Sequence, residues 1–314
     1  MSEPKVYGGQ EVVAETASGA GPKHRSLRGD VWRQFRRHKG ALAGLFVFFF
    51  VAVASFAGPY LMPYDAVEID VKLRNLGPSW SHPLGTDNLG RDMVVRSMVG
   101  GRISLLVAIT AMVLSVSLGT TIGVTAGFFR RLDGVLMRLT DLFLALPVLP
   151  LLLVIIMLFR DTLRATFGPE QGIFMLIVFI IGVTSWMQTA RVVRGEVLSI
   201  KQQEFVAAAH SIGTRRRNVI FRHILPNCLS PVMVAAALGM AVAIITESAL
   251  SFLGLGFPSD FPTWGRLLYD GKDFINLTPM RVVGPGALIS LTVLSVNFIG
   301  DGLRDALDPK LRSR

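Results

Sequence analysis

The residues of this chain that could do chemistry are a few polar side chains set in apolar surroundings. Glu247 is the clearest case, because it is the single charged residue in the stretch 231–253. A charge inside a lipid-facing segment costs about 3 kcal/mol or more, so such a residue pairs or lines water. Two readings stand for Glu247: contact with the cationic end of a passing solute, or a paired structural group at an interface with a second subunit. Asp141 lies near Arg138 and Arg131, a spacing that suits an ion pair at one end of an apolar run. His82, His210 and His223 are scattered, without a carboxylate or cysteine close in sequence to complete a metal site. "TDNLGRD" (86–92) lacks the alternating acids and closing glutamate of a calcium loop. "GRLLYDGKD" (265–273) has five residues between its glycines where a phosphate loop has four, and Asp273 in place of Ser or Thr. Neither a Gly-x-Ser-x-Gly elbow nor a zinc-protease helix occurs. No catalytic residue, metal site or bound cofactor is expected in this chain.

The elements that would carry these residues are set by apolar run length. Of the 314 residues 51% are hydrophobic and 17% charged, against about 25% charged in an average soluble domain. That surplus calls for lipid as the solvent, and a bilayer core takes about 20 apolar residues per helix with every backbone polar group paired inside it. Six spans are expected, at 41–62, 103–129, 139–159, 171–190, 231–253 and 282–300, in an all-α integral membrane fold. The single cysteine, Cys228, excludes an internal disulfide. In such a chain the net charge of +10 speaks to topology and membrane lipid, and no nucleic-acid partner is expected.

Lysines and arginines orient the spans. With the N-terminus inside, segments 1–40, 130–138, 191–230 and 301–314 carry 8, 3, 7 and 4 basic residues, 22 of the total of 32. Both termini are therefore expected in the cytoplasm. Residues 1–40 are expected to form a basic, largely disordered tail whose last part is a surface helix dipping Trp32 and Phe35 into the headgroups. They do not resemble a cleavable signal. Residues 63–102 and 254–281 are long outer segments, and residues 304–314 a short inner tail. Gly119, Gly123 and Gly127 repeat a small-xxx-small spacing that lets another helix approach, either within the chain or at a subunit interface.

The inner segment 191–230 is unusually large. "QQEFVAAAHSIG" predicts a short helix starting near Glu204, with Phe205, Ala208, Ala209 and Ile212 on one face. Gly213 stands where a left-handed cap would end it. Thr214 is placed to cap a second helix through Arg215, Arg216 and Arg217, which Pro226 would end. A helix, a glycine corner and a second helix at the inner membrane face suit docking into a partner's groove. They equally suit a solvated basic loop that enforces topology.

The stretch "AAAHSIGTRRRNVIFRHILP" (207–226) resembles the EAA loop of permease subunits of bacterial ABC importers. Ala208, Ala209, Gly213, Leu225 and Pro226 fall at that motif's spacing. Ala207 replaces its first glutamate and His223 its isoleucine, while Glu204 lies three residues earlier. "HPLGTDNLGRDMVVRSMVGGRISL" (82–105), "DLFLALPVLPLLL" (141–153), "ESALSFLGLG" (247–256) and "GDGLRDALDPKL" (300–311) are similar to the dipeptide, oligopeptide and nickel branch of that family.

What the resemblance implies is a separate first helix followed by a five-helix transport core of the type I importer kind, over residues 103–303. The chain would be half of a pathway in the bacterial cytoplasmic membrane. Its partners would be a second homologous permease, two ATPase subunits that hold ATP and Mg, and an extracytoplasmic solute-binding protein. The helix at 204–213 would couple the ATPases to the pathway. Short peptides are the expected solute, with nickel, a modified sugar or another small solute as alternatives. A secondary transporter or channel working without ATP is the rival of another class.

Overall fold

A computed structural model of the chain describes residues 27–307. Among the described residues the structure is helical, with one isolated bridge between Thr86 and Asp92. Helices α1 (Leu27–Arg37) and α2 (Lys39–Ala57) precede α3 (Met93–Phe128), α4 (Arg130–Ala145) and α5 (Val148–Phe167). Then come α6 (Pro169–Ile200), the short α7 (Glu204–Ser211), α8 (Arg216–Val219) and α9 (Leu225–Asn227), and α10 (Leu229–Phe252). The short helix α11 (Trp264–Gly271) and the last helix α12 (Met280–Leu307) complete the order. Five helices are long and apolar enough to cross a membrane, and a sixth span exists if α4 and α5 are counted as one.

The third expected span, 139–159, is therefore not one straight helix. α4 and α5 meet at 85°. Pro147 has no N–H to continue the ladder, and it forces Leu146 before it into an extended conformation with ψ of 136°. α4 consequently lies across the end of the bundle as an amphipathic helix.

The spans also run past the charges used to delimit them. α3 begins at Met93, ten residues before the expected start, because Asp92 Oδ1 accepts from Val95 N–H at 2.9 Å and caps it. α6 continues nine residues beyond Arg191, and α12 runs to Leu307. Arginines mark where a helix leaves lipid, and they are also good helix formers, so a charge does not end a helix.

α3 and α6 form the central pair. A Cβ on Gly119 would lie 2.7 Å from the Trp186 carbonyl oxygen, and one on Gly123 2.6 Å from that of Ala190. The glycine stripe thus serves packing inside the chain, where small residues let two backbones touch. α2 lies against α12 in the same way, with Gly44 under the Ser295 carbonyl and Gly302 under Ala41.

α1 departs from the surface helix expected. Trp32 is exposed, but Phe35 is buried with Ala41 and Ala306, so the helix clamps α2 to the end of α12. The reading of a disordered tail over residues 1–26, and the inner tail beyond Leu307, lie outside the described residues.

Candidate functional site

At its C-terminal end, α6 leads through a tight turn into α7. Lys201 anchors that turn, because its Nζ donates to the carbonyls of Gly127 (3.2 Å) and Phe128 (3.0 Å) at the C-terminus of α3. Val206 and Ala209 are the buried face of α7, packed with Phe128, Val197, Val219 and Ile224. Glu204, Phe205, Ala208 and Ile212 are exposed, and Ile212 keeps 82% of its surface. The expectation that Ala209 shares a face with Phe205, Ala208 and Ile212 is thus corrected. The arm's own body covers the narrow face, which leaves residues 205, 208 and 212 pointing outward.

Gly213 ends α7 with φ of 76°. Its N–H donates to the His210 carbonyl and that of Thr214 to the Ala209 carbonyl, each at 3.0 Å, the paired bonds of a left-handed helix stop. Thr214 does not cap α8, because the cap position falls on Arg215, which makes no side-chain cap bond. Pro226 does not end the second helix either. A wide turn over Ile220–Ile224 absorbs its missing donor, with the Leu225 N–H reaching the Ile220 carbonyl, and the helical path continues toward α10. Leu225 is half-buried and Pro226 exposed.

A cleft of about 850 Å³ opens between α4–α5, α6, α10 and α12. Thr184, Gln188, Val192 and Glu196 line it from α6, Ser230 from α10 and Arg304 from α12. The four α6 residues recur every fourth position, so one stripe of that helix faces the opening. Thr184 Oγ1 donates to the Ile180 carbonyl at 2.8 Å, while Gln188 is exposed in the cleft. Sequence reasoning passed over this stripe because Thr and Gln leave a run uncharged; their four-residue period was the available signal.

Two ion pairs hold α4 beneath the cleft. Arg194 Nη2 lies 2.7 Å from Asp133 Oδ2, and Arg191 pairs with Asp141. Asp141 thus pairs with α6, and the expected partners on its own helix, Arg138 and Arg131, are not used.

Glu247 belongs to neither the cleft nor an outer surface. It is 0% exposed; its carboxyl oxygens accept from Ser104 Oγ at 3.0 Å and Ser251 Oγ at 2.7 Å. The Trp264 N–H donates to Ser104 Oγ at 3.3 Å, which brings α11 into the same cluster. Both readings of Glu247, solute contact and subunit interface, are corrected: it is an internal polar tie between α3, α10 and α11.

The segment 63–102 carries a network that its sequence does not announce. Asp87 Oδ1 accepts from the N–H groups of Leu89 (2.8 Å) and Arg91 (3.0 Å); its Oδ2 lies 2.7 Å from Arg91 Nε and 3.2 Å from Arg96 Nη1. Burial pushes the Asp87 carboxyl up, but the Arg96 and Arg91 charges and the bonds from Arg91 outweigh it and hold the group below its ordinary value. Arg281 of α12 donates to Asn75 Oδ1 at 2.9 Å and stacks 4.2 Å over Phe274. His82 Nδ1 lies 2.7 Å from Asp92 Oδ2, so this histidine does have a carboxylate neighbour. Among the described residues no group of His, Cys, Asp and Glu is arranged to hold a metal ion.

Comparison with known proteins gives a family match at both ends of the chain. Residues 119–313 match the family described as the binding-protein-dependent transport system inner membrane component. Residues 26–78 match the N-terminal TM domain of oligopeptide transport permease C. The chain is 38% identical over 305 residues to the oligopeptide transport system permease protein OppC of Haemophilus influenzae, covering 96% of this chain and 94% of that protein. It is 39% identical over 285 residues to the dipeptide transport system permease protein DppC of Bacillus subtilis, covering 90% and 86%. To the glutathione transport system permease protein GsiD of Pectobacterium atrosepticum it is 39% identical over 287 residues, covering 90% and 91%.

Proposed function

Because this chain belongs to the family of binding-protein-dependent transport system inner membrane components, we propose that it is a permease subunit of an ATP-driven peptide importer. The observation that carries this reading is its similarity, over nearly its whole length, to permeases of oligopeptide and dipeptide transport systems. Family membership sets aside a secondary transporter or a channel. The chain is a multi-pass inner-membrane transport permease, and such a system works with an ATPase and a binding protein.

The finer assignment runs as follows. A second, homologous permease completes the pathway, two ATPase subunits bind and hydrolyse ATP with Mg, and an extracytoplasmic binding protein delivers di- and oligopeptides. Both termini lie in the cytoplasm. The cleft beside Gln188 is this chain's share of the pathway; its mix of Thr, Gln and Ser with aliphatic walls suits a peptide backbone of variable side chains. The arm from Glu204 to Pro226 is the coupling element, supported by an outward face of Phe205, Ala208 and Ile212 that nothing among the described residues covers. Closure of the ATPases would push the arm, and α6 and α10, which flank it, would carry that movement to the cleft.

Tagging this chain in its host, purifying it gently from membranes and assaying the reconstituted assembly for peptide uptake tests the proposal. ATP-dependent uptake of a labelled peptide supplied with its binding protein is the expected result. Purification alone, without an ATPase and without uptake, overturns it.

A further inference from the structure

Arg215, Arg216, Arg217 and Arg222 are all exposed on the arm, and none of them takes part in an ion pair among the described residues. Elsewhere in the chain buried arginines sit against carboxylates, as Arg91 and Arg96 do at Asp87. Between Val197 and Thr246 the single acid is Glu204, so the arm contains almost nothing to neutralise them. A helix meant only to be solvated interleaves charges of both signs. This one does not.

The arginines also shape a surface. Arg215, Arg217, Asn218, Phe221 and Arg222 line a shallow hollow of about 390 Å³. Phe221, one of the lining residues, is 58% exposed, and the Arg217 guanidinium stacks 5.9 Å from that ring. The wide turn that carries Phe221 and Arg222 also meets α7, where the Phe205 and His223 rings are 6.3 Å apart. An aromatic ring beside three guanidinium forks is complementary to carboxylates, which such forks bind through paired N–H groups. Excluding water over such a contact strengthens it.

Building on the proposed function, we infer that the ATPase's docking surface presents carboxylates that enter this hollow. The electrostatic attraction of the arm then runs from arginine on this chain to acid on the ATPase. A phospholipid headgroup is the weaker candidate on geometry. Arg215 and Arg217 precede the first residue of α10 by 14 and 12 positions, about 20 Å of helical path at 1.5 Å per residue. The headgroup layer is only about 5–8 Å deep on each side.

The test uses the whole transporter, tagged on this chain, with Arg215, Arg217 and Arg222 changed together to Gln or together to Lys. The readout is the ATPase retained at about 50 mM and about 500 mM salt, a range over which charge screening shortens severalfold. Retention by the parent chain should fall severalfold with salt. The Gln version should retain about tenfold less at low salt and respond little to salt, with the second permease still bound as the sign of a folded chain. The Lys version should retain at least half. Equal retention by the Gln version and the parent at both salts overturns the inference, and so does equal failure of both versions. Unchanged ATPase retention with loss of tightly bound anionic phospholipid also overturns it and makes the hollow a lipid site. A parent chain that retains no ATPase at either salt sinks the importer reading itself, a distinguishable outcome.

Discussion

The Arg194 guanidinium grips the Asp133 carboxylate, Nη2 to Oδ2 at 2.7 Å, and so ties the inner extension of α6 to the crosswise helix α4. α6 continues from this point into the coupling arm, and α4 leads at Pro147 into the wall of the cleft. The pair thus bridges the segment proposed to move and the pathway it is proposed to gate. Both side chains are partly exposed, so the bond contributes about 1 kcal/mol or less to stability. Asp133→Asn should leave assembly intact while lowering peptide uptake per ATP hydrolysed, by about threefold. Unchanged coupling in the reconstituted transporter would remove α4 from the mechanism.

Gly213 should be intolerant for conformational reasons alone. A Cβ there meets no atom within 4 Å, yet φ is 76°. Gly213→Val should cost about 1–2 kcal/mol and deform the corner, abolishing uptake with normal membrane insertion. Gly213→Asn, which tolerates the left-handed region better, should keep a substantial fraction. Equal uptake by the two variants would contradict the argument.

Glu247 acts as an internal tie, so its variants should separate by shape and bonding. Glu247→Gln keeps hydrogen-bonding capacity toward Ser104 and Ser251 and should preserve most uptake. Glu247→Leu strands those hydroxyls, at about 1–3 kcal/mol for each group left unsatisfied, and should lower the thermal midpoint of the purified chain by several degrees. Loss of uptake in the Gln variant with an unchanged midpoint would return Glu247 to the pathway.

The Asp87 network should be acid-sensitive. Its folded-state carboxyl titrates below the unfolded value of about 3.9, so folding favours the charged form. The stability it lends is fully present above that unfolded value and is lost as pH falls through the folded one. The protection of amides in segment 63–92, measured against their intrinsic exchange rates at each pH, should therefore fall below about pH 4 and stay flat between pH 6 and 8. Asp87→Asn should raise exchange at pH 7 and flatten the acid response. An acid response identical to that of the parent would assign the effect to another carboxylate.

Gln188 is the cleft residue with the most direct consequence for solute. Gln188→Leu should reduce peptide uptake about fivefold while ATPase binding and assembly are unchanged, because it removes an amide from a wall facing the opening. Uptake equal to that of the parent would take the cleft out of the pathway.

Much of the site was legible along the chain because it rests on local chemistry. Gly213 after Ile212 signalled a left-handed stop, since the residue before a cap and the glycine that makes it are neighbours. The face of α7 was not legible. Phe205, Ala208, Ala209 and Ile212 all suit an apolar surface, and only the packing of Val197, Val219 and Ile224 against Ala209 divides them. Asp87 was dismissed as part of a poor calcium loop because its ligands are arginines whose own anchors are far away; Arg96 reaches the Ser259 carbonyl, 163 positions along the chain, at 3.0 Å.

The sequence by itself determined that this is a multi-span membrane protein with a basic arm between two of its spans. Lipid demands long apolar helices whose backbone bonds close within the segment, and topology follows the count of nearby cations. The tertiary structure alone decided which glycines touch which helix, that Glu247 faces inward, and that a polar stripe of α6 borders a cleft. Those outcomes depend on contacts between residues far apart in sequence, and a period along the chain, such as the spacing of Gly119, Gly123 and Gly127, marks a face without naming the partner it meets.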